Sequence, residues 1–534
     1  MTDETGTGPS QARRRGATAW PWVRTLLLVT AGAALVLGAT RVPDAGAGLS
    51  LGQGPGPQAG GTAPPDQEPV TDVDLACAGA EQQGVEDATV QERGQSVRVR
   101  AVAAPAQALP EGIEPPEEGF IELTRLPQLG AVPDSEAVPE PEAVPESEVG
   151  RTQERGVEVA LGIEGPHGAG VRGEGGLAMG LVAAQQHLST EEQQRGLAIA
   201  GCTRPATDSW LLAGGDQPGR VERLVLVNPG ANPVTVVVEV LGGAGPVPAP
   251  GGQGIVVGPG DRSVLLLDAL APGQATPAVH VTSTGGPVIA ALGDRWLEGS
   301  LDRGLELTTA SAAPSTGLVV PGLSMPGDGD EGEAALRVGV PGETGAVVQV
   351  RALTADGPVR VERDVTLVGA GHAVDIDVSD LPAGTHALEI TSDEPVVAAA
   401  RVERRTESDG VADLAWVPAT EPVVELAGAP LMDLSGREVL NTLALASREG
   451  ATVQVVTSGV DGQVDSQEIE VPAATSLALE LGDSTAAWVR PVSGDVHAAV
   501  VSTHEDPLGT LIGGMPLVET PLTRPAVEVT PWRP

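Results

Sequence analysis

The chain of 534 residues sets 31 basic residues, all arginine, against 72 acidic ones, and the resulting charge of -41 repels phosphate backbones and excludes nucleic acid as a partner. With 71 Gly, 47 Pro, one Phe and no Tyr, cores must be built from Val, Leu, Ala and Ile around seven Trp, a composition that favours strands. The length is too great for one hydrophobic core and implies about three to four domains.

Residues 1–24 form a basic, cytoplasmic N-terminus containing Arg13, Arg14 and Arg15. The uncharged segment 25–40, TLLLVTAGAALVLGAT, lies between Arg24 and Arg41. As a helix it covers about 24 Å, short of the ~30 Å hydrocarbon core of a bilayer. Trp20 and Trp22 extend it as interfacial anchors while Arg24 snorkels. Arginine on its N-terminal side places everything after Arg41 outside the cytoplasm. Two readings stand: a retained single-pass signal anchor in the cell membrane, or a signal peptide cleaved at Ala45-Gly46-Ala47 to release a secreted protein.

Residues 41–72 are rich in Gly, Pro and small polar side chains, cannot bury enough apolar area to fold, and read as a disordered stalk. Residues 73–202 read as a divergent β-rich domain, in which SVRVRAVAA, FIELTRL and VEVALGIEG are strands and LVAAQQHLSTEEQQRGLAIAG has room for one helix. Within it, 131–150 carries three acidic, proline-punctuated hexapeptides, AVPDSE, AVPEPE and AVPESE, the composition of an extended, self-repelling linker. Calcium would need carboxylates folded around one centre, and these prolines hold them apart. Cys77 and Cys202 are the only cysteines; outside the cytoplasm an even pair is expected to be a disulfide, since neither has a histidine at zinc-ligand spacing.

The C-terminal part repeats. ANPVTVVVEVLGGAGPV from Ala231, ETGAVVQVRALTADGPV from Glu343 and REGATVQVVTSGVDGQV from Arg448 align without a gap, so Gly245, Gly357 and Gly462 share one turn position. Val236, Val348 and Val453 fall on one face, with Val238, Val350 and Val455; Val237, Gln349 and Gln454 fall on the other. That is the pattern of a half-buried strand. Corresponding strands follow each segment, and WLLAG at Trp210, LVVPG at Leu318 and AWVPA at Ala415 correspond as openings. About seven short strands in about 100 residues predict three tandem immunoglobulin- or fibronectin-like β-sandwich modules at 203–300, 316–405 and 413–534. The long connections between them, and GTLIGGMPL at Gly509, predict that modules exchange edge strands and that this C-terminal strand completes an earlier module.

The N-terminal hydrophobic segment, the two cysteines, Pro205, the strand led by Trp210 and the run Arg223-Leu224-Val225-Leu226-Val227-Asn228-Pro229 together resemble an uncharacterised family of actinobacterial secreted or membrane-anchored proteins, described only as a domain of unknown function. The resemblance implies an envelope location and carries no catalytic residues.

No reaction motif stands out. GEGGLA at Gly173 lacks the helix a dinucleotide fingerprint needs and reads as a turn. His187 and Glu191 are four apart in the possible helix, but HExxH needs a second histidine. DGDEGE at Asp328 is a solvated acidic loop without the remaining EF-hand positions, and LPAGT at Leu381 is internal, unlike a sortase signal. His280, His386 and His497 are dispersed over the repeats. No catalytic residue, cofactor site or metal site is assigned. The expected function is a non-enzymatic, extracytoplasmic, membrane-tethered scaffold or binding protein of the cell envelope, attached through its N-terminal helix and engaging an envelope protein or glycan. The alternative is a carbohydrate-binding or carbohydrate-processing envelope protein, which the shortage of aromatic residues disfavours.

Overall fold

A computed structural model describes residues 67–85, 95–126, 149–327, 331–405, 410–433 and 437–525. The hydrophobic segment 25–40, residues 41–66 of the expected stalk and the acidic hexapeptides lie outside the described residues. The end of that stalk, expected to be disordered, is ordered by pairing: Gln67–Pro69 forms a ladder with Thr523–Pro525, and Asp72 opens the strand Asp72–Cys77. So do Asp328, Gly329 and Asp330 of the acidic loop. Among the described residues no helix is long and apolar enough to cross a membrane. The protein is mainly β, and its named strands pair antiparallel.

Four β-sandwiches follow one another, each made of eight strand positions. The first uses Asp72–Cys77, Ser96–Ala103, Gly119–Leu126, Val149–Thr152, Val159–Glu164, Gly168–Gly175, Leu181–Ser189 and Gly196–Gly201. The second uses Asp208–Leu212, Arg220–Val227, Val234–Gly242, a broken fourth strand of Gly245–Val247 and Ile255–Val257, then Arg262–Leu266, Ala278–Thr284, Ile289–Glu298 and Leu301–Thr308. In the third, Ser315–Met325, Ala334–Gly339, Ala346–Thr354, Gly357–Val368 and Ala373–Asp377 precede the long strand Gly384–Arg405, which supplies the sixth and seventh positions, and Ala412–Pro418 is last. The fourth runs Ala427–Pro430, Leu440–Ser447, Ala451–Gly459, Val464–Val471, Thr475–Glu480, Ser484–Ser493, His497–Asp506 and Gly509–Pro516. In every sandwich one sheet has the order 4-3-6-1 and the other 5-2-7-8.

Region 73–202 is therefore a sandwich of the same strand order as the three units that follow it. Its sequence hides the kinship because the acidic hexapeptides are inserted between the third and fourth strands, at the place where the other units have a short hairpin. In those units Gly245, Gly357 and Gly462 have φ of 113°, 115° and 71°, a backbone conformation that favours glycine, which accounts for their alignment.

Three expectations need correction. The connections after residues 300 and 405 are the last strands of their own sandwiches: Leu301–Thr308 pairs with Ile289–Glu298, and Ala412–Pro418 pairs with Gly384–Arg405. AWVPA at Ala415 thus closes the third sandwich instead of opening the fourth, which begins at Ala427–Pro430. Gly509–Pro516 pairs with His497–Asp506, so it completes its own sandwich, and no last strand is exchanged between units. Third, the possible helix at 181–201 is two paired strands, Leu181–Ser189 and Gly196–Gly201. Its Ala- and Gln-rich sequence has helical propensity, but residues 181–186 and 196–201 are all buried, and tertiary packing overrides that weak preference.

The burial pattern explains how the sandwiches associate. Third strands alternate, as in Val234–Gly242 and Ala346–Thr354, because one face meets water. The second, seventh and eighth strands of the 5-2-7-8 sheet are largely buried on both faces, as in Ala334–Gly339 and the VVAAARV stretch from Val396, and they read as continuous apolar runs, while the fifth strands keep exposed positions, as in Ala373–Asp377. Their second face carries a neighbour. Ala76 and Ala78 beside the first strand of sandwich one pack on Val225, Val227 and Ile289 of sandwich two. Sandwich two joins Val397, Ala399, Leu414 and Trp416 of sandwich three in one core. Sandwich three packs on Ala499, Val501 and Ile512 of sandwich four. Sandwich four packs on Val102, Ala104 and Val182 of sandwich one through Val456, Ala486 and Trp488. Each 4-3-6-1 sheet thus meets the next 5-2-7-8 sheet, and the fourth unit meets the first. The head-to-tail contact closes into a cycle, the intramolecular counterpart of a heterologous ring.

Candidate functional site

The cycle brings the four last strands, Gly196–Gly201, Leu301–Thr308, Ala412–Pro418 and Gly509–Pro516, against one another. Each pairs with a seventh strand on one side only, so its other edge offers unladdered N–H groups, here away from water. Buried amides need acceptors. Two carboxylates supply them. Asp413 Oδ1 accepts from Leu305 N at 3.2 Å, and Oδ2 accepts from Leu197 N at 3.0 Å and Ile512 N at 2.9 Å, so one side chain of the third sandwich binds the backbone of the other three. Glu306 accepts from Leu307 N at 2.9 Å and Gly514 N at 3.3 Å, and from the Trp416 amide. Both carboxyls are 0% exposed, which removes them from any substrate's reach.

Close approach is possible because the crossing strands contain glycine. A Cβ on Gly513 would lie 2.5 Å from Leu197 Cδ2, and one on Gly514 would lie 2.6 Å from Val417 Cγ2. Arg195, with 1% side-chain exposure, binds both oxygens of Asp506 at 3.0 and 3.1 Å and the Gly509 carbonyl at 2.8 Å, tying sandwich one to sandwich four. Burial raises the Asp413 pKa to about 7 and that of Glu306 well above the usual carboxylate range.

The interfaces around this hub share a second device. An arginine of the 5-2-7-8 sheet donates to the carbonyl just after the first strand of the preceding sandwich: Arg262 to Ala78 O at 2.7 Å, Arg337 to Ala213 O at 2.9 Å and Arg100 to Leu431 O. Arg337 also grips Asp375 through two bonds of 2.7 and 2.9 Å, and burial notwithstanding, that guanidinium holds the Asp375 pKa below its ordinary value. Arg220 does the same for Asp294, which also accepts from Trp416 Nε1 at 2.7 Å. Beside it burial pushes Glu222 up to about 7.

Two of the surface clefts lie away from the hub. One, of about 790 Å³, lies at the loop end of sandwich four and carries Asp433, Glu438, Asp461, Asp465 and Asp483. The other, of about 590 Å³, lies between the Asp74, Glu122 and Arg172 face of sandwich one and the turn Asn228–Asn232 of sandwich two. Among the described residues no group of three or more His, Cys, Asp or Glu side chains is placed to hold a metal ion. Asn228 is fully buried: its amide nitrogen donates to the Asn232, Val257 and Gly258 carbonyls and its oxygen accepts from Gly230 N, so it shapes the turn.

Cys77 and Cys202 form a disulfide joining the first strand of sandwich one to the residue after its last. His187 lies on the strand Leu181–Ser189, its Nδ1 at 2.9 Å from Ser96 O, and makes no helical pair with Glu191. GEGGLA is the end of a strand followed by a short 3-10 turn. The dispersed histidines stay apart. His280 stacks on Trp210 at 4.3 Å with Asp208 and Glu239 on opposite ring nitrogens, a geometry that cannot chelate. His386 Nε2 lies 2.8 Å from Pro382 O, in the LPAGT stretch. His497 bonds Thr420 Oγ1 at 3.0 Å, and burial lowers its pKa to about 4. None of the five described aromatic residues, Phe120, Trp210, Trp296, Trp416 and Trp488, is exposed.

Sequence reasoning missed the hub and the arginine clamps. The hint was a charged residue inside otherwise apolar strands, as in LELT around Glu306 and ADLAWV around Asp413.

No curated protein matches the chain. Among solved structures, Thermotoga maritima 1070 is similar at 14% identity over 20% of this chain and 96% of that one, with a TM-score of 0.17. A tetra-tandem repeat from the extending region of a large adhesion protein is similar at 13% identity over 77% of this chain and 93% of that one, with a TM-score of 0.08. Neither superposes well enough to carry an argument. A family model matches residues 168–482, from the sixth strand of sandwich one into sandwich four, and on that match the chain belongs to a family of unknown function, DUF5719.

Proposed function

We propose that the protein is a non-enzymatic, membrane-tethered scaffold or binding protein of the cell envelope, held by its N-terminal hydrophobic segment with residues after Arg41 outside the cytoplasm. The observation that carries the reading is where the unusual chemistry lies. Asp413 and Glu306 bind the backbone of other sandwiches, and the Arg220–Asp294 and Arg337–Asp375 pairs, each within one sandwich, reach across through Trp416 and the Ala213 carbonyl, so these groups serve interfaces and not a cleft. The disulfide supports an oxidising compartment. Within each sandwich the pairing of second with fifth and third with sixth strands agrees with an immunoglobulin-like arrangement, while the first and seventh strands take each other's expected edges.

A carbohydrate-binding role is the second reading, and it is weakened because Trp210, Trp416 and Trp488 are buried and only Phe120 and Trp296, both half-buried, reach the surface among the described aromatics, whereas sugar sites use exposed rings. The test is a glycan array and a hydrolase panel on the full chain, alongside a C-terminal reporter active only in the cytoplasm. Turnover of any glycan overturns the non-enzymatic reading, and an active reporter overturns the location.

A further inference from the structure

We propose that the hub of Asp413 and Glu306 is a proton-sensitive latch that holds the four sandwiches together more tightly in mild acid than at neutral or alkaline pH. The geometry gives the reason. Two fully buried carboxyls meet where four sandwiches converge, each raises the cost of charging the other, and neither has an ion-pair partner within 4 Å among the described residues.

Apart from Arg401, whose buried Nε makes no hydrogen bond, the charged groups around them are engaged elsewhere. From sandwich one, Arg195 grips Asp506. From the last strand of sandwich two, Arg303 pairs with Glu298 and donates to Gly410 O, while Asp302 lies 3.8 Å from Arg295. Asp294, opposite Glu306 in the sheet, is held by Arg220. From the seventh strand of sandwich three, Arg404 lies opposite Asp413 and donates to Ser324, Arg405 pairs with Glu403, and Arg401 lies opposite Trp416. The facing strand Gly509–Pro516 carries no charged side chain. The N–H donors, and for Asp413 the nearby guanidinium of Arg195, favour the ionised carboxylates, but they do not offset the desolvation of two fully buried groups, and a buried charge in that position takes up a proton.

The sign follows from linkage. A carboxyl whose pKa is raised by folding contributes stability that is complete below its unfolded value, near 3.8 for Asp, and is lost as pH rises towards its folded value, about 7 for Asp413. Over that window the unfolding constant rises up to about tenfold per pH unit for each such group. The ion-paired Asp294, Asp375 and Asp506 act oppositely, but their pKa values are lowered, so their loss falls below that window. His497, lowered to about 4, acts oppositely inside the window, and Glu222, raised to about 7, acts in the same direction, so the contribution of the hub is read from variants and not from the wild-type slope alone.

The test is urea unfolding of the full chain at pH 5 and pH 7.5, for wild type and for Asp413→Asn and Glu306→Gln. Wild type should be more stable at pH 5, and each variant should lose close to one proton from the pH slope. An equal slope in a folded variant overturns the proposal. Should both variants fail to fold, the double variant Glu222→Gln, His497→Gln, which removes the two other groups shifted into this window, must still lose stability to urea between pH 5 and pH 7.5; a flat or rising profile overturns the proposal equally.

Discussion

Trp488→Ala tests whether the cycle is closed. Trp488 is fully buried on the sixth strand of sandwich four, where it packs with Val102, Ala104, Met179 and Val182 of sandwich one, and its Nε1 donates to Gly180 O at 3.2 Å. Truncating a buried tryptophan costs about 3–5 kcal/mol, because the cavity collapses only in part. Loss of the indole donor adds little to this, because the Gly180 carbonyl keeps the Ala104 amide at 2.9 Å. The cost is a large share of a typical domain stability of about 5–15 kcal/mol. Since sandwiches one and four are not neighbours in the chain, the deficit falls on the closing contact, and sandwich one should become the first to open. The assay is urea unfolding followed by circular dichroism, with limited proteolysis scored for cuts between residues 95 and 201. Trp488→Phe restores most of the volume and should recover most of the loss. A destabilisation under about 1 kcal/mol, or unchanged cleavage of sandwich one, would show that the first and fourth units do not support each other.

Cys202→Ser removes a cross-link between residues 125 apart and should lower stability by up to about 4–5 kcal/mol, visible as a lower urea midpoint that reductant no longer changes. A chain ending at Asp506 lacks the strand carrying the buried Leu511, Ile512 and Met515, and should lose the fold of sandwich four by circular dichroism; an unchanged melt would contradict the assigned pairing. Gly514→Val places its Cβ 2.6 Å from Val417 Cγ2 and should cost about 1–3 kcal/mol of overpacking, read from the melting temperature. Arg337→Met leaves Asp375 without its bidentate partner and the Ala213 carbonyl without its clamp, and should destabilise by about 3–5 kcal/mol in urea.

The legible parts of the fold were those with one wet face. Val236, Val348 and Val453 are buried while Gln349 is exposed, so alternation and a shared glycine turn were enough to align three units. Legibility failed where a strand is covered on both sides. LVAAQQHL loses its period of two because its second face meets sandwich four, and it then resembles a helix as much as a strand. The last strands failed because the runs around Glu306 and Asp413 fell between the aligned repeats, where they read as long connections, and the charge inside each apolar stretch gave no sign of a buried strand. That charge answers to amides in other sandwiches, and no local pattern encodes partners hundreds of residues away.

The same logic says why the cycle needs a polar centre. Edge strands are tolerated when water or charge blunts them, or when another strand pairs with them. Four of them converging in a dry space can do neither, because strands that cross there cannot form a common ladder. An all-apolar junction would leave the amides of Leu197, Leu305 and Ile512 unsatisfied, at about 1–3 kcal/mol each. Asp413 satisfies all three at the cost of burying a carboxyl. The hub is therefore a consequence of closing the cycle: four independent beads on a stalk would keep these edges in water and have no use for either carboxylate.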